Sequence, residues 1–394
     1  MKTLQNSVLI MLLMAIWIEA LAQESSVKID ANSDIGSEGV FIGNLAGNSV
    51  VNMTDNTFIG NEAGRSNTNH RNTYIGSNAG SEGVNGMYNA FLGYNAGRNS
   101  ASSNNVFIGA ESGLNNTTGG LNVLVGTATG KSLADKEGST FVGAFAGEFA
   151  TEGFNTFLGY LSGRNSLGEK NLFVGGQTGW QLAQGDNNAF LGTQIGFEMT
   201  SGSKNTIVGV DAAQYKITGE ENVYMGFESG WKNYNGNGNV FIGTQSGKYV
   251  TGDNQLYIEN SDAMTTPLIY GDFANDKVGI NTNDVPEGYT LAVRGQIISE
   301  EIRLMLYEDW PDYVFQPEYD MLTLEETEQQ IEILGHLPGV PSAEEVGTEG
   351  IQIGEMNAIL LEKIEELTLH MIDMNKEVKA LQEENKTLKL MIND

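Results

Sequence analysis

Asn56-Thr57-Phe58-Ile59-Gly60-Asn61-Glu62-Ala63-Gly64 is one copy of a unit that fills the middle of this chain. The order asparagine, variable residue, aromatic, aliphatic, glycine, two variable residues, small residue, glycine returns throughout. Asn72-Thr73-Tyr74-Ile75-Gly76, Asn155-Thr156-Phe157-Leu158-Gly159 and Asn239-Val240-Phe241-Ile242-Gly243 are further copies. The first glycines stand at 43, 60, 76, 93, 109, 126, 143, 159, 175, 192, 209, 226 and 243, thirteen units spaced by 16 or 17 residues. A unit this short cannot enclose a core by itself and must stack on its neighbours. Its apolar run, bounded by Asn and Gly, reads as a strand rather than a helix. A coil of this length accommodates two short strands and two tight turns. Parallel stacking at about 4.8 Å per coil would make a rod on the order of 60 Å long. The fold class expected is mainly β: a parallel β-roll solenoid over residues 40–259, then a small α+β neck module and a C-terminal parallel coiled coil.

Each column of the repeat has a physical task. The glycine ending each strand suits a turn with positive φ, or one with no room for Cβ. The second glycine, at Gly47, Gly64, Gly80 and Gly97, suits the next turn, and the small residue before it permits close backbone approach. The asparagines are expected to form a ladder, each amide bonding its copies above and below. Ser139 departs from the asparagine column and Ala213 from the second glycine.

The strand is apolar on both faces. Alternation puts Ile42, Ile59, Ile75 and Leu92 on one side. It puts Phe41, Phe58, Tyr74, Phe91, Phe107, Phe141, Phe157, Phe173, Phe190, Tyr224 and Phe241 on the other. A thin roll has one interior, so the second stripe needs another surface to cover it, since exposure would far exceed what monomers tolerate. The simplest cover is the same stripe on partner chains, and the alternative is a wider single-chain helix that buries both faces.

This repeat resembles the head repeats of YadA-type trimeric adhesins over residues 40–260. The resemblance implies a left-handed parallel β-roll that trimerises through an apolar face, and implies no ligand. The usual repeat of that family is shorter and lacks the aromatic.

The flanking segments extend the reading. Lys2, the apolar run from Val8 to Ile18 and Ala20-Leu21-Ala22 form a signal-peptide pattern over residues 1–22, with Gln23 the expected mature start. The protein is therefore expected to be secreted or on the exterior of a Gram-negative cell. Residues 23–39 are expected to cap the solenoid. Glu259 replaces the repeat glycine, and residues 260–296 hold strand-like pieces of a β neck. In residues 297–354, Thr323 with Glu326 and Ser342 with Glu345 form capping boxes for two short helices. This block resembles a C-terminal module of exported bacterial repeat proteins. Residues 355–394 carry heptads: Leu360, Ile364, Leu367, Met371, Met374, Val378, Leu381, Asn385, Leu388 and Ile392 alternate in steps of four and three. That is a coiled-coil seam, and the resemblance in the repeats favours a homotrimer.

Composition narrows the function. The 394 residues carry a formal charge of −29, 50 glycines and no cysteine. An acidic balance argues against nucleic acid or anionic membrane as a partner. His70, His336 and His370 have no assignable catalytic partner, and no zinc spacing occurs. Catalytic, cofactor and metal residues are expected to be absent. Carbohydrate-cleaving β-helices need two placed carboxylates, for which Asp211 is the one candidate. The expected function is a non-enzymatic adhesive or structural fibre, its ligand a glycan or a matrix protein. The alternative is a tailspike that binds or cleaves glycans and carries a C-terminal trimerisation or chaperone module.

Overall fold

A computed structural model of the chain describes residues 27–30, 39–49, 53–216, 218–305 and 310–393. The expected signal peptide, and most of the expected N-terminal cap, lie outside the described residues. The chain divides at Ile297 into two units.

The first unit is a β-solenoid. Fourteen strands from β2 (Gly39–Ile42) to β15 (Gln255–Ile258) pair in parallel, each with the next, one strand per coil. The register never slips: Phe157 pairs with Phe141 and with Phe173, and each strand sets its aromatic position opposite that of the coil below. Each coil holds one strand, where two were expected. The opposite flank is a chain of turns, yet it also forms a ladder, with Gly64 N–H donating to Ala79 O at 2.9 Å and Ser66 N–H to Ser81 O at 3.0 Å. Left-handed residues such as Glu62 and Gly64 break the extended conformation there without breaking the coil-to-coil hydrogen bonds. At the ends, β1 (Val27–Asp30) pairs antiparallel with β2, and β16 (Ile269–Asp272) pairs antiparallel with β15. β17 (Lys277–Ile280) and β18 (Leu291–Val293) continue the sheet.

The interior is a column of rings. Phe58, Tyr74, Phe107, Phe141, Phe157, Phe173, Phe190, Tyr224 and Phe241 are fully buried within the single chain. Because the register is constant, ring spacing follows strand spacing: Tyr74 and Phe91 stack with centroids 4.7 Å apart, Phe157 and Phe173 at 5.0 Å. Each buried ring is worth roughly 1.5–3 kcal/mol of transfer energy. The ring lies over the second glycine of its own coil. A Cβ on Gly80 would stand 2.5 Å from the ring of Tyr74, and one on Gly163 would stand 2.5 Å from that of Phe157. The exception explains itself. Ala213 takes the glycine position with φ near +50°, and the residue above it is Ile207, not an aromatic.

The asparagine ladder forms, and part of it has the expected amide-to-amide form: Asn188, Asn205 and Asn222 each donate Nδ2 to the Oδ1 of the asparagine one coil before, at 2.9 to 3.1 Å. Each Asn Oδ1 accepts the backbone N–H of the asparagine one coil on, as in Asn89 to Asn72 at 3.0 Å and Asn222 to Asn205 at 3.1 Å. Each Nδ2 closes its own coil by donating to a turn carbonyl, as in Asn72 to Gly86 O at 2.8 Å. Two backbone groups that would be buried unpaired are satisfied by one side chain. Ser139 is too short to span the gap, and Asn155 N–H reaches its hydroxyl only at 3.4 Å.

In the second unit a 3-10 helix (Pro311–Phe315) precedes α1 (Leu324–Leu334), α2 (Ala343–Glu349) and the 41-residue α3 (Ile353–Asn393). Both expected capping boxes form, and Gly335 ends α1 in the left-handed conformation.

The ring-over-glycine contact predicts a compensation. Ile207→Phe should lose about 1–3 kcal/mol by overpacking against Ala213, and adding Ala213→Gly should recover most of it. A double-mutant cycle by urea unfolding measures the coupling, and additive effects would refute the contact as the cause.

Candidate assembly surfaces and buried titratable groups

The structure distributes the two apolar faces of the repeat strand. The aromatic column, proposed from sequence as a stripe for partner chains to cover, lies in the chain's own core and needs no such cover. Phe41 and Phe91 belong to it with the rings above. The aliphatic column faces outward: Leu92, Leu191 and Met225 are 47%, 52% and 48% exposed, with Ile108 and Val142 partly so. The first strand position points the same way, bringing Val123 and Leu172 beside them. The outward face is thus a strip of Thr, Ala, Val, Leu, Ile and Met two residues wide along the rod, half-buried in some coils and exposed in others. Strand alternation forces it, because any residue flanking a buried ring must point out.

The heptad positions of α3 are also uncovered in the single chain. Leu360, Ile364, Leu367, Met371, Met374, Val378, Leu381, Leu388 and Ile392 are all 44% exposed or more. Asn385 Nδ2 donates to Leu381 O at 3.1 Å. Near the start of α3, Tyr313 hydrogen-bonds to Glu362 and Tyr319 to Glu366. Lys363 lies 2.8 Å from Glu362 and 2.9 Å from Glu366. Leu322, Leu324 and Leu337 line an apolar groove of about 280 Å³ together with Leu360, Ile364 and Leu367. α1 and α2 bury no residue.

The histidines serve local structure: His70 Nδ1 accepts the N–H of Thr54 at 2.9 Å, and His336 contacts Leu337 O. Asp211 sits in a left-handed turn position with Glu228 one coil away. Partial burial and the charge of Glu228 push its carboxyl up. Glu228 is held down by hydrogen bonds from Lys248, its ion-pair partner at 2.7 Å, and from Gln245, against the opposing cost of burial.

Sequence reasoning passed over Lys216, which is fully buried inside the solenoid. Its column holds Asn67, Asn116, Ser166, Leu182, Met199, Asn233 and Val250 in other coils, so the coil only needs a side chain that fills that corner. The Nζ lies 2.8 Å from Gly236 O, 3.0 Å from Asn233 Oδ1 and 3.3 Å from the Tyr224 hydroxyl. Those are partners for an ammonium, but none carries charge. Burial accordingly pulls the lysine down to about 7, with the charge of Asp253 opposing. Burial also pushes the Tyr224 hydroxyl up.

No family model, curated protein or solved structure matches the chain. Among the described residues no helix is long and apolar enough to cross a membrane.

Lys216 sets a pH dependence. Its folded pKa, about 7, lies below the value of about 10.4 in an unfolded chain. Between these values the unfolded chain holds a proton that the folded chain lacks. Stability should therefore rise with pH from about 7 to about 10, by at most ~1.4 kcal/mol per unit, and stay flat in this respect below 7. Lys216→Met, the residue that Met199 places in the neighbouring coil, should remove that slope. Urea midpoints across the window check this, and an unchanged slope in the variant would exclude Lys216 as its source.

Proposed function

We propose that the protein is an exported, non-enzymatic surface fibre that works as a homotrimer in adhesion or in cell-surface structure. The observation that carries this reading is the uncovered aliphatic strip along the whole solenoid. A strip of that length, held rigid by a hydrogen-bonded rod, costs solvation free energy in every coil while exposed. Three copies packed strip to strip would remove that cost, and an identical repeat presents an identical strip on each copy. The exposed heptads of α3 support a parallel coiled coil, with residues 260–296 as the neck that closes the open end of the solenoid. The likeness to YadA-type heads points the same way. The pattern at residues 1–22 supports export, with the fibre on the exterior of a Gram-negative cell. Most of the described apolar side chains of residues 297–354 are exposed in a single copy, Pro311 and Val314 excepted, which fits a module completed by its partners.

The competing reading is a glycan-cleaving tailspike, and Asp211 with Glu228 is the carboxylate pair that would serve it. Glu228 is committed to Lys248, which disfavours that use. Reducing-end release that disappears in Asp211→Asn would establish the tailspike instead.

Light scattering on the assembled protein should give three times the chain mass. Neighbouring residues on one strand then separate the two surfaces. Phe157→Ala removes an interior ring and should cost roughly 3–5 kcal/mol at any protein concentration. Leu158→Ala removes an outward side chain and should steepen the concentration dependence of melting. The clearest comparison uses a rod ending before α3, so that the coiled coil does not hold the chains together. A monomer at micromolar concentration, or a Leu158→Ala rod that melts with the parent's concentration dependence, would refute strip-to-strip assembly.

A further inference from the structure

We infer that the solenoid carries a glycan-binding stripe on the flank that follows its second glycine column, over the five C-terminal coils. Hydrogen bonds from Gly179 to Ile195, Gly196 to Ala212, Ala213 to Ser229 and Gly230 to Ser246 hold this flank in register. The next one or two residues of these coils supply Trp180, Phe197, Tyr215, Trp231 and Tyr249, one aromatic per coil. Trp180 and Phe197 lie 4.8 Å apart between centroids, as do Tyr215 and Trp231. All five remain partly accessible.

The fold does not ask for aromatics there. In earlier coils the first position after that glycine carries Arg65, Ser81, Arg98, Leu114, Lys131, Glu148 and Arg164, with Phe149 the one aromatic beside it, while the interior column is aromatic in both halves except at Leu124 and Ile207. The cations at that position pair with carboxylates across coils, Lys131 with Glu111 at 2.6 Å and Arg164 with Glu148 at 2.7 Å. The change to Trp180, Phe197 and Trp231, which leaves Lys248 in that column still paired with Glu228, is confined to the surface, so packing of the core does not explain it.

The neighbouring column supplies the polar half of a sugar site. Gln177, Gln194, Asp211, Glu228 and Gln245 follow one another at the left-handed turn position. Gln194 donates to Gln177 at 3.2 Å, and Gln214 orients the indole of Trp231 at 2.7 Å. The ammonium groups of Lys232 and Lys248 lie 5.0 Å from the Trp231 ring. A pyranose presents a C–H face that packs on a negative aromatic face, and hydroxyls on its edge that pair with planar amides and carboxylates. The partly exposed parts of these rings and the amide and carboxylate column run together along the rod, the direction in which a linear glycan would lie. A protein partner would need a wide dry centre with a polar rim, and a stripe one ring wide beside an amide and carboxylate column offers none. The stripe lies on a different flank from the aliphatic strip, so the proposed trimer leaves it open. The inference rests on the fibre reading only in requiring this flank to face the medium.

The test is titration of the full chain with cello-, laminari- and chito-oligosaccharides from disaccharide to octasaccharide, by calorimetry and by tryptophan fluorescence. Binding should strengthen with length and then level. Trp180→Arg and Trp231→Arg introduce a residue that the same column already carries, so the fold should persist, and circular dichroism verifies that. Together they should weaken binding at least tenfold, while Arg98→Ala in the N-terminal half leaves it unchanged. Trp180→Phe with Trp231→Phe should retain most of it. Failure of every oligosaccharide to bind, or undiminished binding by the folded double arginine variant, overturns the stripe. Light scattering on the same samples reports assembly separately: a trimer that binds no glycan defeats this inference alone, and a monomer that binds through the stripe defeats the fibre reading alone.

Discussion

Most coils of this molecule depend on one contact: an aromatic ring lying on a glycine of its own coil while stacking on the ring of the next coil. Strand hydrogen bonding fixes the vertical spacing, and ring thickness must then fit within it. The centroid separations of 4.6 to 5.0 Å across the regular stacks show that it does. The horizontal fit is tighter. Gly64, Gly80, Gly97 and Gly113 each leave no space for a Cβ under the ring they face. A thin coil can therefore hold a large side chain only by giving up a small one opposite. That exchange explains the second glycine, while a Cβ on the first, as at Gly60, would stand 2.5 Å from the carbonyl oxygen of Gly76 in the next coil.

Constant register has an electrostatic counterpart. A parallel stack brings identical residues face to face, which would place like charges together in any charged column. The chain avoids this in most places by alternating sign between neighbouring columns and coils, Asp211 beside Glu228 being an exception. Arg65 meets Glu62 and Glu82, Lys204 meets Glu221 and Lys248 meets Glu228. Exposed pairs of this kind add little stability. Their value is in permitting charge on a surface where every side chain has a copy of its column one coil away. The interior meets the same problem with neutral amides, whose donor and acceptor ends let identical residues bond in series.

The stacking of the repeat, its strand and the existence of two alternating apolar columns were legible in the sequence, because thirteen evenly spaced glycines leave few other arrangements. The second strand expected in each coil was not formed. Left-handed residues such as Glu111 and Leu161 interrupt that flank, and nothing in their identity announces a positive φ. The asparagine ladder and its amide-to-amide bonds were legible, but the backbone contacts that the coils add to them were not. Which groups an amide serves depends on where the backbone N–H of the next coil points, and that follows from the turn before it. Lys216 was missed because lysine in a turn-rich surface repeat reads as solvated. Its column, filled elsewhere by Leu182, Met199 and Val250, was the available sign that the position faces inward.

The harder question was which apolar face of the strand lies inside. Alternation alone is symmetric: an aromatic column and an aliphatic column are both apolar, and either could line a roll. Hydrophobicity favours neither strongly enough to decide. Steric exchange does decide, and the chain contains the deciding case. Where the second glycine becomes Ala213, the strand residue six positions earlier is Ile207, and the outward neighbour Val208 is ordinary for its column. Only a residue in contact with the glycine would change with it. Leu124 over Gly130 shows the dependence to be one-way, since a smaller side chain tolerates glycine but a ring does not tolerate alanine. The inward face of a short-repeat solenoid is thus marked less by how apolar a column is than by which column answers to the glycine opposite it.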